Sequence, residues 1–128
     1  MMEFIHPEGG ARPRGPYSPA VRAGDFLFVA GQVAADPATN ELSLGDIRHE
    51  TRLVLANIGR ILEAAGARPA DVVRCNVYLE NGADFAAMNE VYAAFFGDHR
   101  PARTTVVVGF AAPIKVEIDC IAYLPAKP

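Results

Sequence analysis

Arg103 closes the run Pro101-Ala102-Arg103 and stands at the mouth of a β-branched segment, Thr104–Val108. A planar guanidinium there can hold a carboxylate through two parallel hydrogen bonds. A solvated arginine in a surface ion pair is the other reading, and on these residues alone the commoner one. Glu117 lies within the apolar run Val116–Leu124. A carboxylate on a sheet face that becomes partly buried has a raised pKa and can serve as acid or base. It and Asp119 fit equally well a solvated outer face of an antiparallel sheet. Tyr17 sits in Gly15-Pro16-Tyr17-Ser18-Pro19, ahead of Ala30-Gly31-Gln32. The prolines stiffen this segment, so the ring and hydroxyl can be aimed at a ligand with little loss of entropy. An arm packed against a sheet is the plainer account of the same residues.

Other chemistry finds no support. The chain carries no GxGxxG, phosphate-binding loop, HExxH or GxSxG pattern. His6, His49 and His99 are scattered over arm, helix and loop, with no partner at metal-ligand spacing. Neither a metal site nor a cofactor is expected. Cys75 and Cys120 each fall in a strand-like apolar run and form no CxxC. They read as buried structural thiols in a reducing cytosol, not as a disulfide or a nucleophile.

These side chains need elements to position them. Ala20–Arg22 and Phe26–Ala30 flank the turn Ala23-Gly24-Asp25 and predict a β-hairpin. Asp36-Pro37-Ala38-Thr39-Asn40 is a turn cluster. Between Asp46 and Ala65 the apolar residues Ile47, Val54, Leu55, Ile58, Ile61 and Leu62 recur at helical spacing, with Asp46 as N-cap and Gly66 past the end. Val72–Leu79 reads as a strand, and Asp84 as the cap of a second helix ending at Phe96. The stripe Phe85, Met88, Tyr92, Phe95 on that helix reads as core. In Val116–Leu124 the alternation sends Val116, Ile118, Cys120 and Ala122 to one face and Glu117, Asp119, Ile121 and Tyr123 to the other. The expected fold class is α+β: one mixed sheet with both helices on one face. The sheet's other face then needs cover, from water or from another subunit. Prolines and glycines crowd residues 7–19, and residues 1–14 are expected to form an irregular N-terminal arm.

Composition narrows the classes further. The chain has 128 residues, which predicts one domain over residues 1–128. Hydrophobic residues make up 51% and charged ones 21%, which excludes general disorder. A net charge of −3 leaves no strongly basic surface for nucleic acid. The start has no basic, then apolar, leader pattern, and no run is long enough to cross a membrane. A cytoplasmic protein without a membrane partner is expected.

Taken together, Gly15-Pro16-Tyr17-Ser18-Pro19, Phe28-Val29-Ala30-Gly31-Gln32, Asn57-Ile58, Ala64-Ala65-Gly66, Asn89-Glu90-Val91-Tyr92, Pro101-Ala102-Arg103 and Val116-Glu117-Ile118 resemble the reactive intermediate deaminase family, also called RidA, YjgF or endoribonuclease L-PSP. The resemblance runs unbroken from about residue 14 to residue 124. It implies a chorismate mutase-like fold and a homotrimer whose sheets form a central barrel, with ligand clefts between subunits. It also implies cofactor-independent hydrolysis of enamine and imine intermediates, such as 2-aminoacrylate and its imine, to 2-keto acids and ammonia. In those terms Arg103 matches the carboxylate-binding arginine and Glu117 the glutamate that positions or activates water. Tyr17 and Asn89 match the cleft tyrosine and asparagine, and Gly31 the cleft-wall glycine. Thr105 offers a backbone N–H to the ligand where the best-studied branch has cysteine, and Ala30 stands where that branch has serine. Arg103 is further expected to help keep Glu117 ionised as a base. The rival readings are a non-catalytic trimer that binds a small 2-keto acid, and the ribonuclease activity of the older family name, against which the acidic charge balance weighs.

Overall fold

The computed structural model describes residues 2–125. The chain runs β1 (Met2–Ile5), β2 (Ala20–Ala23), β3 (Phe26–Gln32), α1 (Ile47–Ala64), β4 (Val72–Leu79), α2 (Phe85–Phe96), β5 (Ala102–Val107) and β6 (Val116–Tyr123). The strands form one sheet in the order β1-β2-β3-β6-β4-β5. Only the edge pair β4–β5 is parallel, because α2 carries the chain back across the sheet between them. Both helices pack on one face, and the fold is α+β with a mixed sheet, as the sequence predicts.

Local chemistry sets the helix limits. The Asp46 carboxylate accepts the His49 N–H at 2.8 Å, and Gly66 leaves α1 at φ +81°. The predicted stripe of α1 is buried from Ile47 to Leu62. The entry to α2 differs from expectation. Asn81 accepts the Ala83 N–H and opens a 3-10 turn over Gly82–Asp84, while Asp84 precedes α2 without capping it. Phe85 is not core either: it is 45% exposed, whereas Met88, Val91, Tyr92 and Phe96 are buried.

The core lies between helices and sheet. Leu27 and Val29 of β3, Val72, Cys75, Val77 and Leu79 of β4, and Val116, Ile118, Cys120 and Ala122 of β6 all face α1 and α2. Each fully buried Leu, Ile or Val contributes about 1.5–3 kcal/mol. Both cysteines are free and buried, as expected.

The opposite face is uncovered in the protomer. Phe4, Phe26, Phe28 and Tyr123 share it through the registers of β1–β2, β2–β3 and β3–β6, and all lie between 42% and 57% exposed.

The N-terminal segment is not irregular throughout. Residues Met2–Ile5 form β1, antiparallel to β2. Only Ile5 of the four is buried, so the strand rests on backbone pairing and leaves no apolar alternation to read. β5 likewise begins two residues earlier than predicted, which puts Arg103 inside the strand. No helix among the described residues is long and apolar enough to cross a membrane.

Candidate functional site

The six residues singled out in the sequence fall into two groups. Strand parity separates them. Arg103 pairs in register with Cys75, and Cys75 with Cys120, both of which face the helices. Glu117 pairs with Tyr78, one position off that parity, and so faces the other side of the sheet. Two strand widths also lie between β6 and β5. Within one protomer Arg103 and Glu117 cannot meet.

The first group surrounds Glu117. β3 carries a bulge: Val29 pairs with Cys120 but Gln32 with Ile118, so Ala30 and Gly31 together oppose Asp119. The bulge brings the Gly31 backbone against Glu117, and a Cβ built on Gly31 would collide with the Glu117 carboxylate. What glycine provides there is space, not backbone conformation: any side chain at 31 would make the Glu117 carboxylate move.

The Pro-bracketed arm delivers Tyr17 to the same place. The arm is tied to β3 where the Ala30 N–H donates to the Pro19 carbonyl at 2.9 Å. It is tied to the turn at Asn40 by the Arg12 N–H on the Asn40 Oδ1 at 2.8 Å and by the Arg14 guanidinium on the Asn40 carbonyl. The Tyr17 hydroxyl accepts the Arg14 N–H at 3.0 Å. Tyr17, Gly31 and Glu117 line a cleft of about 430 Å³, with Ala30, Val33 and Ile114 among its apolar walls.

Two buried polar side chains fix those walls. Asn57 on α1 donates to the carbonyls of Val33 and Ala35, at 3.3 and 2.9 Å. Glu50, fully buried, accepts the backbone N–H of Lys115 at 2.9 Å and of Gly45 at 3.3 Å, and pairs with the Lys115 ammonium at 3.4 Å.

The two carboxylates of β6 have different standing. Asp119 accepts from the Asn76 amide at 2.8 Å and the Tyr78 hydroxyl at 2.9 Å. No described residue donates a hydrogen bond to Glu117. Burial first, and the like charge of Asp119 second, raise its pKa above the usual glutamate value. The expected help from Arg103 in keeping it ionised is therefore absent in the protomer, and the physical reason is the opposed sheet faces.

The second group lies at the β5 edge. The Arg103 guanidinium is centred 4.8 Å from the Tyr92 ring and 5.6 Å from the Phe85 ring, a cation–π arrangement. Asn89, at helical spacing from both rings, lies on the same side of α2, and its Oδ1 is buried without a hydrogen-bond partner among the described residues. Thr105 follows two residues after Arg103 on the same side of β5. Burial raises the pKa of Tyr92 and of the neighbouring Cys75 and Cys120 thiols, so neither cysteine is a thiolate nucleophile.

Among the described residues no group of three or more His, Cys, Asp or Glu side chains is arranged to hold a metal ion.

The profile of the family described as Endoribonuclease L-PSP matches residues 9–124. The chain belongs to the endoribonuclease L-PSP family. A RutC family protein of Pyrococcus horikoshii is 51% identical over 124 residues, covering 96% of this chain and 98% of that protein. A protein of Dermatophagoides farinae named 2-iminobutanoate/2-iminopropanoate deaminase is 39% identical over 114 residues, covering 88% of this chain and 89% of that one. The crystal structure of RidA from the Antarctic bacterium Psychrobacter sp. superimposes with a TM-score of 0.91 at 37% identity, over 95% of this chain and 99% of that one. The family resemblance read from the sequence thus holds along nearly the whole chain.

Within this family member, three features escaped sequence reading. The aromatic seat of Arg103 left one trace, the Phe85, Asn89, Tyr92 spacing, which also suits a core stripe. Arg14, at the cleft through the arm, and the loop at residues 110–112 left none, because each is placed by long-range packing.

Proposed function

We propose that this family member hydrolyses 2-imino acids and their enamine tautomers to 2-keto acids and ammonia. The observation that carries this reading is the unengaged, half-buried carboxylate of Glu117 beside a fully engaged Asp119. A carboxylate with a raised pKa and no hydrogen-bond donor is suited to moving protons. The deaminase name of a relative supports the same chemistry.

The complete site is then composed between subunits of a homotrimer. The Arg103 edge of one protomer abuts the Glu117 cleft of the next, and the apolar outer faces cover one another. Arg103 binds the substrate carboxylate in a fork that its aromatic seat holds in plane. Asn89 and the Thr105 N–H orient the same end. In the cleft Glu117 takes a proton from water as that water attacks the iminium carbon. Glu117 returns that proton to the nitrogen of the resulting carbinolamine, and as the C–N bond breaks and ammonia leaves, the same carboxylate takes the hydroxyl proton so that the keto group forms. Tyr17 orders the water and substrate at the cleft mouth. A positioned base contributes about 10²–10⁴-fold, with orientation adding to it. This is sufficient for a bond already prone to hydrolysis.

The test couples the chain to an amino acid oxidase that generates imines, with semicarbazide trapping whatever is not hydrolysed. Suppression of the semicarbazone, and a particle of about three chain masses by light scattering, are expected. A monomer at micromolar concentration overturns the shared site.

A further inference from the structure

We infer that the cleft selects imines whose side chain is branched aliphatic or aromatic rather than the three-carbon imine of alanine. This rests on the deaminase reading and names its substrate class. The cleft of about 430 Å³ has Glu117 at one wall, and the rest of its lining is mostly carbon: Ala30, Val33, Leu42, Phe110, Ala112 and Ile114. Glu117 fixes where the reacting carbon sits. A substituent leaving that carbon away from the Arg103 edge runs along these apolar side chains. A methyl group would leave them facing water, while a leucine or phenylalanine side chain covers them.

Arg14, the cation of the lining, has its guanidinium on the Asn40 carbonyl. The Tyr17 hydroxyl accepts the Arg14 N–H at 3.0 Å and keeps a single O–H to donate, one neutral donor and no second charge for an anion. Ala30 brings no hydroxyl to the wall. The wall is also firmly held, since Asn57 clamps the segment at Val33 and Glu50 holds Lys115 next to Ile114. A fixed apolar surface discriminates by about tenfold or more for each methylene it covers.

The experiment compares imines generated from alanine, leucine, phenylalanine and glutamate, scored by kcat/KM for semicarbazone suppression. In parallel, calorimetry compares pyruvate with the keto acids of leucine and phenylalanine. Leucine- and phenylalanine-derived imines should exceed the alanine-derived one by about tenfold or more, and their keto acids should bind correspondingly tighter. In Ala112→Phe, an exposed position, the added ring should occupy the wall and shrink that ratio toward unity. Hydrolysis with equal or better use of the alanine imine overturns the side-chain assignment and leaves the deaminase reading standing. Preference for the glutamate imine overturns it in favour of Arg14 as an anion partner. If no imine is hydrolysed, the deaminase reading fails, and the calorimetry still decides: equal affinity for pyruvate and the larger keto acids overturns the apolar wall as a recognition surface.

Discussion

Arg103 and Glu117 are both partly withdrawn from water, yet the fold holds them in opposite ways. Arg103 lies on an edge strand, seated on the faces of Tyr92 and Phe85. Glu117 lies on an interior strand, inside a cleft, pressed against a glycine backbone and without a donor among the described residues. The first arrangement orients a planar guanidinium against two ring faces. The second desolvates a charge so that it gains and loses a proton readily. Binding and proton transfer ask for these two environments, and strand parity keeps them on opposite faces. On the proposed reading a protomer carries both halves of a site without completing either, and the contrast can be broken from each side.

The largest expected effect is on the Glu117 side. Glu117→Gln keeps the shape and removes the base, so kcat should fall by about 10²-fold or more while keto acid affinity is nearly kept. Full turnover in this variant would make Glu117 a structural residue. In the unsubstituted chain the rising limb of kcat against pH should lie above the ordinary glutamate range, since burial raises this pKa. The same sign holds for stability. The folded state holds the Glu117 proton more tightly than the unfolded chain, so this group's contribution is present below the unfolded pKa and is lost as pH rises through the folded one.

Arg103→Lys comes next. An ammonium cannot reproduce the fork or stack flat on two rings. A loss of about 10- to 100-fold, carried mainly by KM, follows from removing one charge-assisted bidentate contact of about 1.5–3 kcal/mol. Unchanged kinetics would remove Arg103 from the site.

Mixing the two variants then tests whether the halves belong to different chains. When Glu117→Gln and Arg103→Lys protomers are unfolded and reassembled together, about one quarter of the interfaces regain both native side chains in a heterologous ring. Activity near a quarter of wild type is expected, against almost none in either parent. No recovery in verified mixed particles would mean that both residues act from one protomer, against the strand parity.

The smallest effect is expected for Gly31→Ala. The added Cβ must displace the Glu117 carboxylate, whose flexible side chain can swing into the cleft, so turnover should drop several-fold with little change in stability. An unaltered rate would show that the position of Glu117 is uncritical.

Local signals in the sequence went far. The α1 stripe with its Asp46 cap, the hairpin about Gly24, the limits of β4 and the alternation along β6 are all local patterns of burial and turn chemistry. So was the parity that turns Glu117 and Asp119 away from the core. What was not legible depends on partners distant in the chain. β1 exists because β2 offers it a backbone edge, and its own side chains are mostly exposed. Phe85 looked like core because helical spacing does not say where the sheet ends. The edge strand β5 leaves that turn of α2 uncovered, and Arg103 fills it. The different fates of Glu117 and Asp119 could not be read from spacing either, since Asn76 and Tyr78 reach Asp119 from the adjacent β4. The sequence by itself determined the elements and which side chains each turns inward, since periodicity and capping act over a few residues. Only the tertiary structure decided that Arg103 and Glu117 occupy opposite faces and that Gly31 presses on the carboxylate. Register, bulges and strand order are set by pairing between segments far apart in the chain, and no local pattern records them.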